Sequence, residues 1–339
     1  MHFQKSKLVY GVIFLLAFAL LFVVAAFRPV GMDRDSGKYA IDIRSIIETH
    51  NYNLSLYEPT FYLIITAANF FSGDPVRWVF AIYAFLGVSL ILWAIKKNSP
   101  FPILSLILFS CTYFVLHEMT QIRVGVAAAI FLLAIPDIAN RNWKAFLAKT
   151  ALAAFFHYSA IVMAFTYLLG AKFGAGKARE KLFYLLLPII GILFAVFNVG
   201  QILLSSVMNF LPDFLSLKIN IYLDLLKTGK FDRIKIFDIQ YLALLAIYYF
   251  AIANLDKFKN GISTVSFKIL GWMFFIFYVL YFIPVIAGRL SEFLAVASIF
   301  ALPSLVLIVK EKYFMYILIV LGAFLMLYYE IIIRNLIVF

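Results

Sequence analysis

Long apolar runs recur along this chain of 339 residues, and they constrain its fold more than any other feature. The clearest run, from Leu8 to Phe27, has twenty residues without a charge, about the length of a helix that crosses a bilayer. It is too long for a cleavable signal peptide. Hydrophobic residues make up 65% of the chain, which excludes an ordinary soluble domain. The sequence therefore predicts an all-α polytopic membrane protein that forms a single integral membrane domain over residues 1–339.

About eleven transmembrane helices are expected from these runs. Residues 58–71 are apolar but too short to cross comfortably, so we expect a half-inserted or interfacial helix there. Residues 143–170 are too long for one span, and the polar His157 sits in their middle, so we expect two short spans that meet at a bend. The expected spans are residues 8–27, 76–95, 101–117, 121–136, 145–157, 158–170, 182–200, 237–254, 264–284, 289–309 and 313–333.

The basic residues indicate the direction of the spans. With a cytoplasmic N-terminus and alternating spans, the inner segments hold fourteen basic and four acidic residues, whereas the outer segments hold thirteen of each. The formal net charge of +12 then reflects topology, and no nucleic-acid partner is implied. Residues 28–57 become the first outer loop. Residues 201–236 become a long outer loop that contains an interfacial amphipathic helix.

Arginine and lysine are divided unequally between the two sides. Twelve of the fourteen inner basic residues are Lys, whereas eight of the ten Arg lie on the outer side. Either cation satisfies the positive-inside rule, but Arg binds phosphate through two hydrogen bonds and keeps its charge when it is desolvated. The outer face is therefore expected to bind a phosphorylated ligand. Pairing of these Arg with outer acids or lipid headgroups is the simpler alternative.

The first outer loop is the most charged stretch, with nine of the 46 charged residues between positions 28 and 58. Asp33 and Asp35 flank Arg34 there. Carboxylates just outside a membrane can act as a general base, as metal ligands or as acceptors for sugar hydroxyls. A solvated loop with local ion pairs is the alternative. For Glu58, which opens the next apolar segment, capping of a helix N-terminus is an equal alternative.

Two further polar positions indicate a site. Residues 117–123 join two expected spans and include Glu118, Gln121 and Arg123, although an Arg at a helix end can also snorkel. His157 lies at the expected bend, and an ionisable side chain at membrane depth suggests function. A neutral His bonded to a helix carbonyl is an equally good interpretation.

The second half of the chain adds three candidates. Arg289 and Glu292 lie one helical turn apart after Pro284, where a broken helix that lines a cavity or a local ion pair is expected. Tyr222 in the long outer loop is expected to stack on a sugar ring or to anchor the loop at the interface.

Four short motifs follow one another in a fixed order. They are Arg28-x-x-Gly31 with Asp35-x3-Tyr39, Glu58-Pro59-x-Phe61, Gln121-Ile122-Arg123 before an Ala-rich helix, and Phe156-His157-x-Ser159-Ala160, with Gly288-Arg289 and Phe293 as a weaker fifth. Together they resemble the Wzy-type polysaccharide repeat-unit polymerases, in particular the EpsG-like family. Asp33 and Asp35 compete for one expected acid, and only Asp35 has the spacing to Tyr39. The first-loop acid before a short half-inserted helix is also similar to lipid-dependent glycosyltransferases of the GT-C architecture.

The resemblance implies a glycosyltransferase of the bacterial inner membrane whose active site faces the periplasm. It would elongate O-antigen, capsule or exopolysaccharide by moving a growing glycan from undecaprenyl diphosphate to an acceptor sugar on another lipid-linked unit. No cofactor is expected. Metal dependence is not implied, because the outer Arg suffice for two diphosphates. The partners are these lipid-linked oligosaccharides and membrane lipids; the sequence does not decide whether a chain-length regulator binds.

The resemblance also gives each candidate an expected role. Asp35 is the favoured catalytic base, and the other catalytic candidates are Asp33, Glu58 and His157. Arg123 and Arg289 are expected to bind the diphosphate of one lipid, and Arg28 or Arg34 that of the second. The expected glycan contacts are Tyr39, Glu118, Gln121, Tyr158, Tyr222 and Glu292.

Two other functions remain open from the sequence. One is a GT-C-like enzyme that adds a single sugar from a polyprenyl-phosphate donor. The other is a lipid-glycan flippase or transporter, which should line its path with charge. Only Lys149 and Lys268 are expected deep within spans, which disfavours a flippase.

Overall fold

The computed structural model describes residues 2–54, 56–170, 177–210, 213–228 and 238–338, and this part of the chain is built from helices. Within it, six helices are long and apolar enough to cross a membrane, and two bent helix pairs raise the number to eight if each pair is one span. The predicted polytopic helical membrane protein is confirmed. The expected count of about eleven spans is not. The six long helices are Leu8–Phe27, Pro75–Asn98, Pro102–Thr120, Ile122–Ala139, Gly261–Val279 and Lys312–Ile333.

The chain divides into two compact units. The first unit contains Met1–Ala134, Lys144–Ile161 and Val309–Phe339. Its helices are α1 (His2–Phe27), α2 (Ser36–Thr49), α3 (Pro59–Asn69), α4 (Pro75–Asn98), α5 (Pro102–Leu108, continued as a π-helix over Phe109–Thr120), α6 (Ile122–Ala139, whose end belongs to the second unit), α7 (Trp143–Phe156, which starts in the second unit) and, after α15, α16 (Lys312–Tyr328).

The second unit contains Ile135–Trp143 and Val162–Ile308. Its helices are α8 (Met163–Thr166), α9 (Lys177–Val196), α10 (Val199–Val207), α11 (Asp213–Lys227), α12 (Ile239–Ala253), α13 (Gly261–Val279), α14 (Pro284–Ala295) and α15 (Ser298–Ser304). The α9–α10 pair is bent by 75°, and α14 is bent by 50° relative to the helix that follows it.

Helix starts in the first unit follow local sequence signals. Helices α3 and α4 each begin at a proline, where the missing N–H costs no hydrogen bond. Asp74 caps α4 by accepting a hydrogen bond of 3.1 Å from the Val76 N–H. At the other end of α4, Lys96 and Lys97 lie in the last turn, where the helix dipole favours positive charge.

The region after α7 corrects the expected spans. The helix breaks at His157, where the sequence predicts a bend, because α7 ends at Phe156. The expected second span over residues 158–170 is wrong: a 3-10 helix over Tyr158–Val162 and the four-residue α8 occupy this stretch. Both are far shorter than a bilayer crossing needs. Helix α3, with 11 residues, is also too short to cross, as predicted.

The two lysines expected within spans both have hydrogen-bond partners, and Lys268 also has a counter-charge. Lys268 on α13 is fully buried, and its Nζ donates to Glu180 Oε1 at 2.6 Å and to the Gly170 carbonyl at 2.9 Å. Lys149 donates to the Leu133 carbonyl at 2.9 Å. The predicted outer loop contains the helix α11, which confirms that part of the loop is helical. Residues 229–237, which include the end of that loop, lie outside the described part of the chain.

Candidate functional site

Glu58, Arg123 and His157 meet in the first unit, although they lie at the starts of α3 and α6 and just after α7. Arg123 Nη1 donates to Glu58 Oε2. The other carboxylate oxygen, Oε1, lies 2.9 Å from His157 Nδ1 and accepts a hydrogen bond of 3.1 Å from the Tyr158 N–H. The Glu58 carboxylate therefore links three segments of the chain.

The local backbone explains why Glu58 points at these partners. Glu58 occupies the N-cap position of α3 in an extended conformation, but its side chain makes no capping hydrogen bond. The alternative of helix capping is therefore not what the structure has. Thr60, on the first turn of α3, donates to the Phe155 carbonyl at 2.6 Å. This contact joins the start of α3 to the end of α7 and brings His157 beside Glu58.

Aromatic rings form the walls around Arg123. The centre of its guanidinium lies 5.7 Å from the ring centroid of Tyr39, 4.8 Å from that of Tyr57 and 5.4 Å from that of Phe61. Its Nε also donates to the Tyr39 hydroxyl at 3.4 Å. Cation–π contacts of this kind stabilise a guanidinium that is partly removed from water.

Burial and charge together set the ionisation of Glu58. Its side chain is 4% exposed and that of Arg123 is 16% exposed. Burial opposes ionisation of the carboxyl, but the hydrogen bond with His157 and the positive charge of Arg123 outweigh it and lower the pKa of Glu58 from 4.5 to about 2. Glu58 is therefore a carboxylate at neutral pH.

Arg28 and Asp33 form a separate, fully buried ion pair in the same unit. Arg28 Nε donates to Asp33 Oδ2 at 2.8 Å, with side chains 1% and 0% exposed. Arg28 also donates to the carbonyls of Ala25 and, at 2.5 Å, Met119. Asp33 Oδ1 accepts the Ser36 N–H at 2.9 Å at the start of α2. These contacts favour a structural role for the pair over the expected catalytic and diphosphate-binding roles.

The rest of the first loop contacts the C-terminal segment. Exposed Arg34 donates to the Arg334 carbonyl, and Asp33 forms an antiparallel β-bridge with Ile337. Asp35 is half-buried at the start of α2, where its carbonyl accepts the Tyr39 N–H at 2.9 Å. Asp35 thus lies one helical turn before Tyr39, one of the aromatic residues around Arg123.

Three expected glycan contacts in the first unit have different surroundings. Glu118 is 1% exposed, and its carboxyl lies against Gly87 and Gly125. Gln121 directly follows the π-helix, and its N–H donates to the Leu116 carbonyl at 2.7 Å. Tyr158 is exposed, and its hydroxyl donates to the Leu54 carbonyl at 3.0 Å.

In the second unit, Arg289 on α14 donates to the Tyr222 hydroxyl on α11 at 3.2 Å. Arg289 is exposed, whereas Tyr222 and Glu292 are half-buried. The structure thus brings together one expected diphosphate ligand and one expected glycan contact.

A family model described as the EpsG family matches residues 11–337. The chain belongs to the EpsG family. It is also similar to the amylovoran biosynthesis protein AmsC of Erwinia amylovora, with 27% identity over 146 residues. That match covers 41% of this chain and 39% of the relative. No solved structure matches the chain, so the likeness to the GT-C architecture stays a prediction.

In this EpsG-family chain, three aromatic residues near Glu58 and Arg123 have no role predicted from the sequence. Tyr57 precedes Glu58 directly, and its hydroxyl donates to Asp42. Phe61 lies in the Glu58 motif and stacks 4.6 Å from Tyr57 between ring centroids. Tyr83 on α4 is buried 6.3 Å from Phe61. Phe61 belongs to the Glu58-Pro59-x-Phe61 motif and Tyr57 directly precedes it, so both were signalled by the sequence. Tyr83 lies within an apolar run and offered no signal.

Proposed function

We propose that this protein elongates an exopolysaccharide by transferring a growing glycan from undecaprenyl diphosphate to an acceptor sugar of another lipid-linked unit. Membership of the EpsG family and similarity to an amylovoran biosynthesis protein support this class of reaction. The observation that carries the proposal is the cluster of Glu58, His157 and Arg123. It combines a carboxylate, an imidazole and a guanidinium beside a short helix that does not cross the membrane.

Each group has a chemical role in this reaction. The acceptor hydroxyl attacks the anomeric carbon, the bond from that carbon to the diphosphate oxygen breaks, and the hydroxyl proton passes to a base. Glu58 is the proposed base, since its Oε1 is oriented by His157 and the Tyr158 N–H. Arg123 is proposed to neutralise the charge that develops on the leaving diphosphate. Asp35, the base favoured by spacing, remains a second candidate.

The charge distribution and the family support two further parts of the proposed function. Arg289 and Tyr222 are proposed to contact the phosphate or sugars of a lipid-linked ligand. The proposed site of action is the periplasmic side of a bacterial inner membrane. Both follow from the charge distribution and from the family.

The test uses purified protein in lipid vesicles with one defined lipid-linked repeat unit, and the products are resolved on a gel. Wild-type protein should give a ladder of chain lengths. Glu58→Gln should reduce polymer formation by about 100-fold or more, because it removes the base but keeps the side-chain shape. Glu48→Gln, which changes an exposed acid on α2, is the matched control and should leave the ladder unchanged.

Other outcomes would contradict the proposal. Addition of a single sugar by the wild type would select the alternative transferase. Movement of the lipid-linked unit across vesicles without any new glycosidic bond would select a flippase. A full ladder from Glu58→Gln would remove Glu58 as the base. Thermal unfolding of each variant in detergent separates lost chemistry from lost fold.

A further inference from the structure

Glu58 and Arg123 have separate roles in the proposed reaction, as base and as partner of the diphosphate, but in the structure they form an ion pair with each other. Among the residues that the structure describes, Glu58 is the one carboxylate that forms an ion pair with Arg123. Tyr39, Tyr57 and Phe61 surround the guanidinium. The side chain of Arg123 nevertheless remains 16% exposed, so part of it can contact a ligand that arrives from solvent.

Glu58 keeps other partners if Arg123 leaves. Arg123 binds Oε2, whereas His157 and the Tyr158 N–H hold Oε1. Loss of the Arg123 contact therefore leaves the buried carboxylate with partners, and the orientation of Glu58 is retained. The ion pair can break at a smaller cost than an isolated buried pair, for which removal of one partner leaves an uncompensated charge.

A diphosphate is a stronger partner for Arg123 than one carboxylate. It carries more negative charge and offers several oxygens, to which a guanidinium donates two parallel hydrogen bonds. Tyr39 and Tyr57 would remain beside the guanidinium and keep the site shielded from water.

We propose that the diphosphate of the lipid-linked donor displaces Glu58 from Arg123, so that the donor itself releases the base. This proposal rests on the proposed function. Without donor, His157 and the positive charge of Arg123 together hold the pKa of Glu58 low and make it a weak base. With donor bound, phosphate neutralises the charge of Arg123, and Glu58 becomes more basic while His157 still holds its Oε1. Proton abstraction is then coupled to occupation of the donor site.

The test measures binding of inorganic pyrophosphate to purified full-length protein by calorimetry, without any lipid-linked substrate. Glu58→Gln should tighten pyrophosphate binding by about tenfold or more, because the competing carboxylate is gone. In the double variant with Arg123→Gln this gain should disappear, because the guanidinium that binds the pyrophosphate is gone. Asp42→Asn is the control: it removes a nearby acid that contacts Tyr57 instead of Arg123, and it should change the affinity little.

The outcomes are separable from those of the polymerisation test. Unchanged or weaker pyrophosphate binding by Glu58→Gln overturns the displacement, even if the wild type makes polymer. An equal gain in Asp42→Asn also overturns it, since general charge repulsion would then explain the effect. Conversely, a gain specific to Glu58→Gln that depends on Arg123 supports the displaceable pair even if the product of the reaction is a single sugar.

Discussion

At the scale of single residues, two glycines pack closely against the π-helix segment that contains His117 and Glu118. A Cβ built on Gly87 would lie 1.9 Å from Glu118 Oε2, and one built on Gly125 would lie 2.5 Å from the His117 carbonyl oxygen. At Gly87 the clash is with the end of a side chain, whereas at Gly125 it is with backbone, so Gly125 requires glycine for close approach. A glycan contact by Glu118 stays a prediction, but this packing does not favour it, because a carboxyl that is 1% exposed has almost no surface to offer.

Gly125→Ala should destabilise the protein by about 1–3 kcal/mol, the range seen when an extra methyl is forced into a packed interior. The contact is with backbone, which cannot move aside as a flexible side chain does. The measurement is thermal unfolding in detergent. Gly322→Ala on α16 is the matched control, since a Cβ there meets nothing within 4 Å. Equal unfolding temperatures for the two variants would contradict the argument.

At the scale of elements, Asp33 ties helix α2 to the rest of the first unit. Its two oxygens hold the start of α2 and Arg28, and Arg28 in turn reaches the Met119 carbonyl on the π-helix. Helix α2 carries Tyr39, one wall around Arg123. The Arg28–Asp33 pair thus supports the candidate site without belonging to the Glu58 cluster.

Asp33→Asn should lower stability by about 3–5 kcal/mol, because it leaves the buried guanidinium of Arg28 without its counter-charge. Asp35→Asn, a change of the same kind two residues away at a half-buried position, should unfold close to the wild type. Unfolding in denaturant, followed by circular dichroism, compares them. If Asp33→Asn proves as stable as Asp35→Asn, the Arg28–Asp33 pair does not hold α2 to the rest of the first unit.

The sequence predicted the elements better than their contacts. Apolar runs located the long helices, since length and hydropathy decide whether a helix can cross a bilayer. The motifs contained Glu58, Arg123 and His157, but their pairing was not predictable. Arg123 is 65 residues from Glu58, and Tyr158 is 100 residues from it. Such contacts depend on how helices pack. For the same reason, the sequence predicted a candidate base at Asp33 and a phosphate ligand at Arg28, but not the ion pair between them.

At the scale of the whole molecule, orientation in the membrane is the property that the charge distribution predicts most directly. The first loop and the segment between α4 and α5 should lie on opposite sides. Helix α4 supports this arrangement, because it is a 24-residue apolar helix with the first loop before it and Lys96 and Lys97 at its end.

Cysteine labelling tests this orientation. The native Cys111 is buried, so a membrane-impermeant thiol reagent should give little background. In spheroplasts, Lys38→Cys should be labelled before permeabilisation and Lys97→Cys only afterwards; both positions are exposed. Wild-type protein is the control for Cys111. The reverse order of labelling would invert the proposed topology and move the Glu58 cluster to the cytoplasmic side.

The contacts of the first loop with the C-terminal segment set an order of assembly during synthesis. Arg34 and the carbonyl of Arg334 that it contacts are 300 residues apart. At typical translation rates of about 5–20 residues per second, the loop is made roughly 15–60 seconds before this partner. During that interval, the local Arg28–Asp33 pair is already available to hold the start of α2. A nascent chain that has not yet made α16 would therefore already contain Glu58, Arg123 and His157, and would still lack the packing of α16 against α5 and the contacts of the C-terminal segment with the first loop.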